Sequence, residues 1–210
     1  MGVAEFTHDH LPPGLAFESW GVGDRFGCRP CGQGRVYWYF SANRPDPFEG
    51  VVPGHKVDLL KRARGWHNPV QAIIDSTEEE RILNVSSFDR RAMASWSGDR
   101  VTLAGDAAHP MSPSLGQGAC QAIEDALALA QSLAEASEVA EGLKLYEQRR
   151  MKRASRLVRQ ARRFGVLAQT ESRLLCWLWK TMTKWMPLPL VIRQLESQIG
   201  GLKQPSRWSP

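Results

Sequence analysis

Residues 100–130 read RVTLAGDAAHPMSPSLGQGACQAIEDALALA, and their types and spacing can do chemistry. Asp106 follows VTLA, a short apolar run of strand character. A carboxylate just past a strand end lies where open α/β sheets put groups that touch ligands, and it accepts hydrogen bonds from sugar-type hydroxyls. Pro110 and Pro113 restrict the loop, so a ligand meets a preformed surface. Gly116 and Gly118 let the backbone approach a ligand closely at the start of a long helix, whose free N–H groups favour an acceptor or an anion. A plainer alternative stays open on physical grounds. Asp106 can be a turn or N-cap residue, Gly116-Gln117-Gly118 an ordinary helix start, and the Ala-rich helix a close-packed core element.

Positioning these residues takes a strand before the loop and a helix after it. VTLA, 101–104, is expected as a buried strand after a turn at Trp96-Ser97-Gly98-Asp99-Arg100, with 105–118 as the loop. Ala119, Ile123, Ala126, Leu127, Ala130 and Leu133 mark one face of a helix running to about Glu138. Upstream, residues 14–45 alternate short apolar runs with Gly and Pro. VYWYF is aromatic and β-favouring, and GQG before it supplies a turn, so an antiparallel pair is expected there. Gly21-Val22-Gly23-Asp24-Arg25-Phe26-Gly27 mimics a phosphate-binding glycine loop but is one residue too long and follows no apolar strand, so it is read as a turn into a strand. Two short helices fit residues 50–74, the second starting after Asn68-Pro69. RILNVSSFDRR, 81–91, has the character of a strand. Beyond 138 the chain reads as helical to Lys184, with Pro187 and Pro189 ending or kinking it.

With 210 residues, 42% of them hydrophobic, the chain can bury a sizeable core. Its polar, acidic start lacks the basic beginning and apolar centre of a secretory signal, so a cytoplasmic protein is expected. Reduced thiols are the expectation for Cys28, Cys31, Cys120 and Cys176. Cys28-Arg29-Pro30-Cys31 has no second pair at zinc spacing, is read as a loop between strands, and gives no metal site. The net charge of +5 conceals an asymmetry: residues 1–148 carry −7 and residues 149–210 carry +12.

The run Gly105-Asp106-Ala107-Ala108-His109-Pro110, then Pro113, Gly116-Gln117-Gly118 and Glu124-Asp125-Ala126, resembles the second flavin motif of single-component FAD-dependent aromatic hydroxylases. That group contains salicylate, 4-hydroxybenzoate and urate hydroxylases and zeaxanthin epoxidase. The resemblance implies that Gly105 and Asp106 contact FAD, the carboxylate bonding its ribityl or ribose part, that Pro113 packs beside the isoalloxazine, and that Gly116, Gln117 and Gly118 offer backbone N–H groups to the flavin's N1–C2=O edge. His109 then fixes the loop. ESWGVGDRFGCRPCGQGRVYWYF resembles the substrate-domain sheet of the same family, in which Arg25 and Tyr37 match positions that face the substrate in urate-hydroxylating members. Guanidinium and phenol groups can both donate to ring oxygens. The alternative, an ion pair at Arg25 and simple packing at Tyr37, stays open.

The resemblance covers the C-terminal half of such an enzyme, because the initial G-x-G-x-x-G unit and the family's middle Asp-Gly motif do not occur here. It implies an α/β fold, α+β for the part present: residues 1–95 as a partial substrate domain, 96–140 as the FAD-contacting strand–loop–helix, and 141–210 as a basic helical region. The implied function is NAD(P)H-driven hydroxylation of a ring substrate by O₂ through a flavin hydroperoxide, with no catalytic acid or base identifiable. A missing N-terminal FAD-binding polypeptide is the implied partner, and VTLA and the helix after it are expected to expose apolar area without it. A non-catalytic interaction protein derived from such an enzyme is the alternative.

The tail has its own character. RRMKRASRLVRQARR, 149–163, holds eight basic residues and no acid. Met151, Ala154, Val158 and Ala161 form one stripe and the arginines the remainder, an amphipathic cationic helix. LLCWLWKTMTKWMPLPLVI is too interrupted to span a bilayer, and two readings stay open: a solvated face packing against the flavin domain, or peripheral contact with an anionic membrane surface. Nucleic acid is not an expected partner, since no binding fold accompanies the charge.

Overall fold

The computed structural model describes residues 1–6, 11, 14–43 and 56–199. Arg44 and Pro45, residues 50–55 before the first helix, and residues 200–210 of the tail lie outside the described part. The chain forms two compact units, Met1–Ser86 with Ala168–Leu178, and Ser87–Leu167 with the chain from Trp179 onward. Residues 141–167 share a unit with the Asp106 loop.

The first unit is built on a four-stranded antiparallel sheet: β1 (Gly2–Glu5), β2 (Phe17–Trp20), β3 (Asp24–Gly32) and β4 (Arg35–Ala42), in the order β1-β4-β3-β2. Gln33 and Gly34 join β3 to β4 at φ of 54° and 68°. Two successive positive φ values match the right-handed twist of a tight hairpin, which is why the turn falls at Gly-Gln-Gly. The glycine mimic at 21–27 is a turn into β3, closed by the Gly21 N–H on the Asp24 carbonyl at 2.8 Å. β1 was not foreseen: four residues with little apolar content carry almost no periodic signal.

One face of the sheet forms the core. Ala4, Phe26, Cys28, Val36 and Trp38 pack with Val70, Ile73 and Ile74 of α2 (Val70–Asp75) and with Ala63, just past α1 (Lys56–Arg62). Trp38 is fully buried, stacks on Phe26 with ring centroids 6.0 Å apart, and donates its indole N–H to Thr77 Oγ1 at 2.9 Å. Cys28 and Cys31 lie in β3, not in a loop, with Cys28 buried and Cys31 exposed. Burial, with Cys31 nearby, pushes the Cys28 thiol up to about 11. Among the described residues no cluster of His, Cys, Asp or Glu could hold a metal ion.

The second unit is helical: α3 (Gly118–Glu135), α4 (Val139–Ala168, its last residue in the first unit), part of α5 (Arg173–Lys184) and α6 (Leu188–Ile199). Between 139 and Lys184 the chain is helical as expected, except that Gln169–Ser172 separate α4 from α5, and α6 follows Pro187. Residues 81–91 form no strand, only a 3-10 turn at Glu79–Arg81 followed by irregular chain. VTLA is no strand either. Ser97 and Thr102 form an isolated bridge, and Val101 is 70% exposed. Strand character at 101–104 is realised only beside a neighbouring strand, and no described strand lies alongside.

The face of α3 also departs from expectation. Its buried residues are Gln121, Asp125, Ala128 and Ser132, whereas Ile123 is 71% exposed and Leu127 and Leu133 are exposed as well. Polar groups turn inward there because α4 meets them with an arginine.

Candidate functional site

Asp106 sits in a 3-10 turn, Gly105–Ala107, directly after the bridge region. Its carboxylate is exposed and makes no hydrogen bond or ion pair among the described residues. A Cβ built on Gly118 would lie 3.8 Å from Asp106 Oδ1, so the carboxylate stands at the N-terminus of α3. Gln117 provides no side-chain cap, and the first N–H groups of α3 have no carbonyl one turn back. Gly116 closes a second 3-10 turn, Pro113–Leu115, at φ of 63°, with open space where a side chain would point. The result is an open stretch of backbone with a carboxylate on one side and helix-end N–H groups with positive potential on the other.

The loop is held from behind. Gly105 donates its N–H to Asp125 Oδ2 at 2.9 Å, and His109 Nε2 lies 2.6 Å from the same oxygen. Asp125 Oδ1 accepts from Arg150 Nε at 2.8 Å, and Arg150 also donates to Gln121 Oε1 at 2.8 Å and to Glu124 Oε2. Burial pushes the Asp125 carboxyl up, but the hydrogen bonds from His109, Arg150 and Gly105 outweigh it, so it titrates below the ordinary carboxylate range. Glu124 is held low in the same way, the pull of Arg153 and Arg150 exceeding the effect of burial. His109 is buried, its ring 5.5 Å from that of Trp96, and it positions the loop as expected.

Three further residues, none foreseen, fasten the loop. Arg90 donates to the Ala107 carbonyl at 2.8 Å. Met111 packs on Leu157, Val158 and Ala161 of α4. Gly165 lies so close that a Cβ there would fall 2.8 Å from Ser114 Oγ and 3.1 Å from Ser112 Oγ. The one signal for Arg150 was its spacing, since Arg150, Ala154, Leu157 and Ala161 follow i, i+4, i+7, i+11 on a buried stripe. The expected arginine remainder of α4 is accordingly corrected: Arg150 is 2% exposed, and Arg149 and Arg153 pair with Glu135 and Glu124. Gly165→Ala is expected to push the Ser112–Ser114 turn outward and cost roughly 1–3 kcal/mol by overpacking. Urea unfolding of the variant beside the unchanged chain checks this, and an unchanged midpoint would remove Gly165 from the account.

Arg25 and Tyr37 lie in the other unit, on the sheet face opposite the core. Arg25 pairs with Ser41 and Tyr37 with Arg29, so about 13 Å of strand separates them. Tyr39 lies between, its ring over Gly27, where a Cβ would come within 2.3 Å of the ring. Arg25 is buried and donates to Glu18 Oε1 at 3.2 Å, while Tyr39 donates to Glu18 Oε2 at 2.7 Å. The Tyr37 hydroxyl faces Met1 Sδ at 3.9 Å. The structure therefore brings Arg25 together with Glu18 and Tyr39, and does not bring it together with Tyr37.

Comparison with known proteins decides what family this loop belongs to. A family model described as FAD binding domain matches residues 31–161. The chain belongs to that FAD-binding family. It is 40% identical over 171 residues to the aurachin C monooxygenase/isomerase of Stigmatella aurantiaca, covering 80% of this chain and 44% of that protein. It is 36% identical over 139 residues to the 3-hydroxybenzoate 6-hydroxylase of Klebsiella oxytoca, covering 64% of this chain and 34% of the relative. The structure of Klebsiella pneumoniae HpxO complexed with FAD and uric acid superposes with a TM-score of 0.85 at 26% identity, covering 95% of this chain and 52% of that one. The chain thus spans about half the length, or less, of the relatives it matches. Its relatives in this FAD-binding family are monooxygenases, and the mixed antiparallel-sheet and helix architecture is theirs.

The residues present fit the cofactor. The exposed Asp106 carboxylate suits the hydroxyls of a ribityl or ribose chain, and the open Gly116–Gly118 backbone suits a flat ring edge that gains negative charge on reduction.

Proposed function

We propose that this chain supplies the portion of an FAD-dependent, NAD(P)H-using monooxygenase that faces the flavin ring, acting on an aromatic or other electron-rich ring compound. The observation that carries the reading is the exposed Asp106 carboxylate beside the uncapped N-terminus of α3, on a loop braced from behind. FAD, when bound, would supply the redox chemistry: two electrons from NAD(P)H, with one atom of O₂ going to the ring and the other leaving as water. The protein's own residues position it. Asp106 accepts hydrogen bonds from the sugar-like chain, Gly105 keeps the backbone turned toward it, Pro113 packs beside the ring system, and the N–H groups at Gln117 and Gly118 meet its polar edge, since the Gly116 N–H is already donated to the Pro113 carbonyl at 2.9 Å. Arg25 and Tyr37 are the candidate substrate residues. The hydrogen bonds at Glu18 favour Arg25 acting with Tyr39 and Glu18 as a charged cluster, and Tyr37 contributing separately.

The chain works as part of a larger whole. Val101, Ala104, Ile123, Leu127 and Leu133 are exposed along the flavin segment. An apolar seam of this kind suits a further polypeptide segment carrying the rest of the FAD site. Relatives named for aurachin C, zeaxanthin and 3-hydroxybenzoate support a ring substrate.

Titration of the purified chain with FAD, followed by flavin fluorescence, tests the reading. Saturable binding is expected, weakened roughly tenfold to hundredfold by Asp106→Ala, the range for losing a hydrogen bond to a charged group. Undiminished affinity in that variant would overturn the role of Asp106. A folded chain without any flavin affinity would favour the non-catalytic reading.

A further inference from the structure

Among the described residues no helix is long and apolar enough to cross a membrane. α5 nonetheless carries a long exposed apolar stripe beside a row of cations. Leu174, Leu178, Met182 and Trp185 follow i, i+4, i+8 and i+11, one stripe from the helix into the residue just beyond it, and are 66%, 41%, 59% and 76% exposed. Leu188, Leu190 and Ile192 of α6, equally exposed, follow in sequence. At 100° per residue Arg173, Lys180 and Lys184 fall within an arc of about 40° on another side of α5. All three are exposed, none makes an ion pair with a described residue, and no acid occurs between Arg173 and Pro187. Trp177, also exposed, borders the cationic row.

We infer that α5 forms a docking surface for an anionic phospholipid bilayer, lying in the interface plane with the Leu174–Trp185 stripe buried among the acyl chains. Charge complementarity selects this occupant. A cation-only row flanking an apolar stripe matches anionic headgroups, and indole rings suit the boundary between apolar and wet layers. A second copy of the chain offers no acidic complement on this element. The inference is independent of the flavin reading, since neither the stripe nor the row includes a residue of the flavin site.

Co-sedimentation of the chain with vesicles of phosphatidylglycerol and phosphatidylcholine, against phosphatidylcholine alone, tests it. Binding is expected only to the anionic vesicles, with a blue shift of tryptophan emission, and is expected to weaken with added salt. Each lysine near such a surface contributes roughly fivefold, so Lys180→Gln/Lys184→Gln should weaken binding roughly 25-fold. Met182→Ser/Trp185→Ser should weaken it at least as much, and Val57→Ser, an exposed apolar position on α1, should not. Equal binding to neutral vesicles, or indifference to both double variants, overturns the proposal. So does self-association in sedimentation equilibrium that Met182→Ser/Trp185→Ser abolishes without any vesicle binding, which would assign the stripe to a second copy.

Discussion

Asp125→Ala is expected to destabilise the second unit by about 3–5 kcal/mol, the usual result of removing one member of a buried charged pair. The carboxylate is fully buried, and it binds three donors on two segments: the Gly105 backbone and His109 of the loop, and Arg150 of α4. Without it the Arg150 guanidinium retains Glu124 and Gln121 but loses the contact that ties α4 to the loop. Asp125→Asn keeps the shape and one acceptor oxygen, and should cost less. Urea unfolding followed by circular dichroism checks both, and a loss below about 1 kcal/mol in Asp125→Ala would show that the network is redundant. Acid gives a second test. The folded-state value of Asp125 lies below the ordinary 3.8, so its contribution is present in full above that value and fades as the pH falls through the lowered one. The unchanged chain should therefore lose stability more steeply with acid below about 3.8 than Asp125→Asn does.

Trp38→Ala is expected to cost the first unit about 3–5 kcal/mol through the cavity it leaves. The indole is fully buried between Phe26 and α2, and its N–H is bound to Thr77 Oγ1, which itself donates to the Ile73 carbonyl at 2.8 Å. Thr77 thus relays between sheet and helix. Trp38→Phe preserves most of the apolar burial and leaves the Thr77–Ile73 bond in place, so only about 1–2 kcal/mol should be lost. Equal losses in the two variants would mean that the hydrogen bond, not the packing, governs the site.

The turns of the Asp106 loop were legible because their chemistry is local: glycine where φ is positive at Gly105 and Gly116, proline where the loop must be stiff, a carboxylate after an apolar run. The β3–β4 hairpin was legible for the same reason. What was not legible is how the loop is held. Arg150 stands in a run of eight basic residues, and its place on the Ala154–Leu157–Ala161 stripe marks it as inward while only its partners on α3 give it a role. Gly165 has an ordinary helical environment in sequence, and its role depends on Ser112 and Ser114, about fifty residues earlier. VTLA and residues 81–91 carry strand character that pairing must realise, and pairing is not a local property. The α3 face misled for a related reason, since hydrophobicity marks which side is apolar and not which side is inward.

That inversion in α3 sets how the helix is indexed. An apolar face tolerates small rotations, because oil-like contacts exchange for one another, whereas Asp125 has one angular position that satisfies Gly105, His109 and Arg150 together. A one-residue slip turns the helix by about 100° and breaks all three bonds at once. The rotation of α3, and with it the heading of its N-terminal N–H groups, is therefore keyed by charge from the inner side. The outer residues Ile123, Leu127 and Leu133 are correspondingly free to vary with whatever covers them while the loop geometry stays constant.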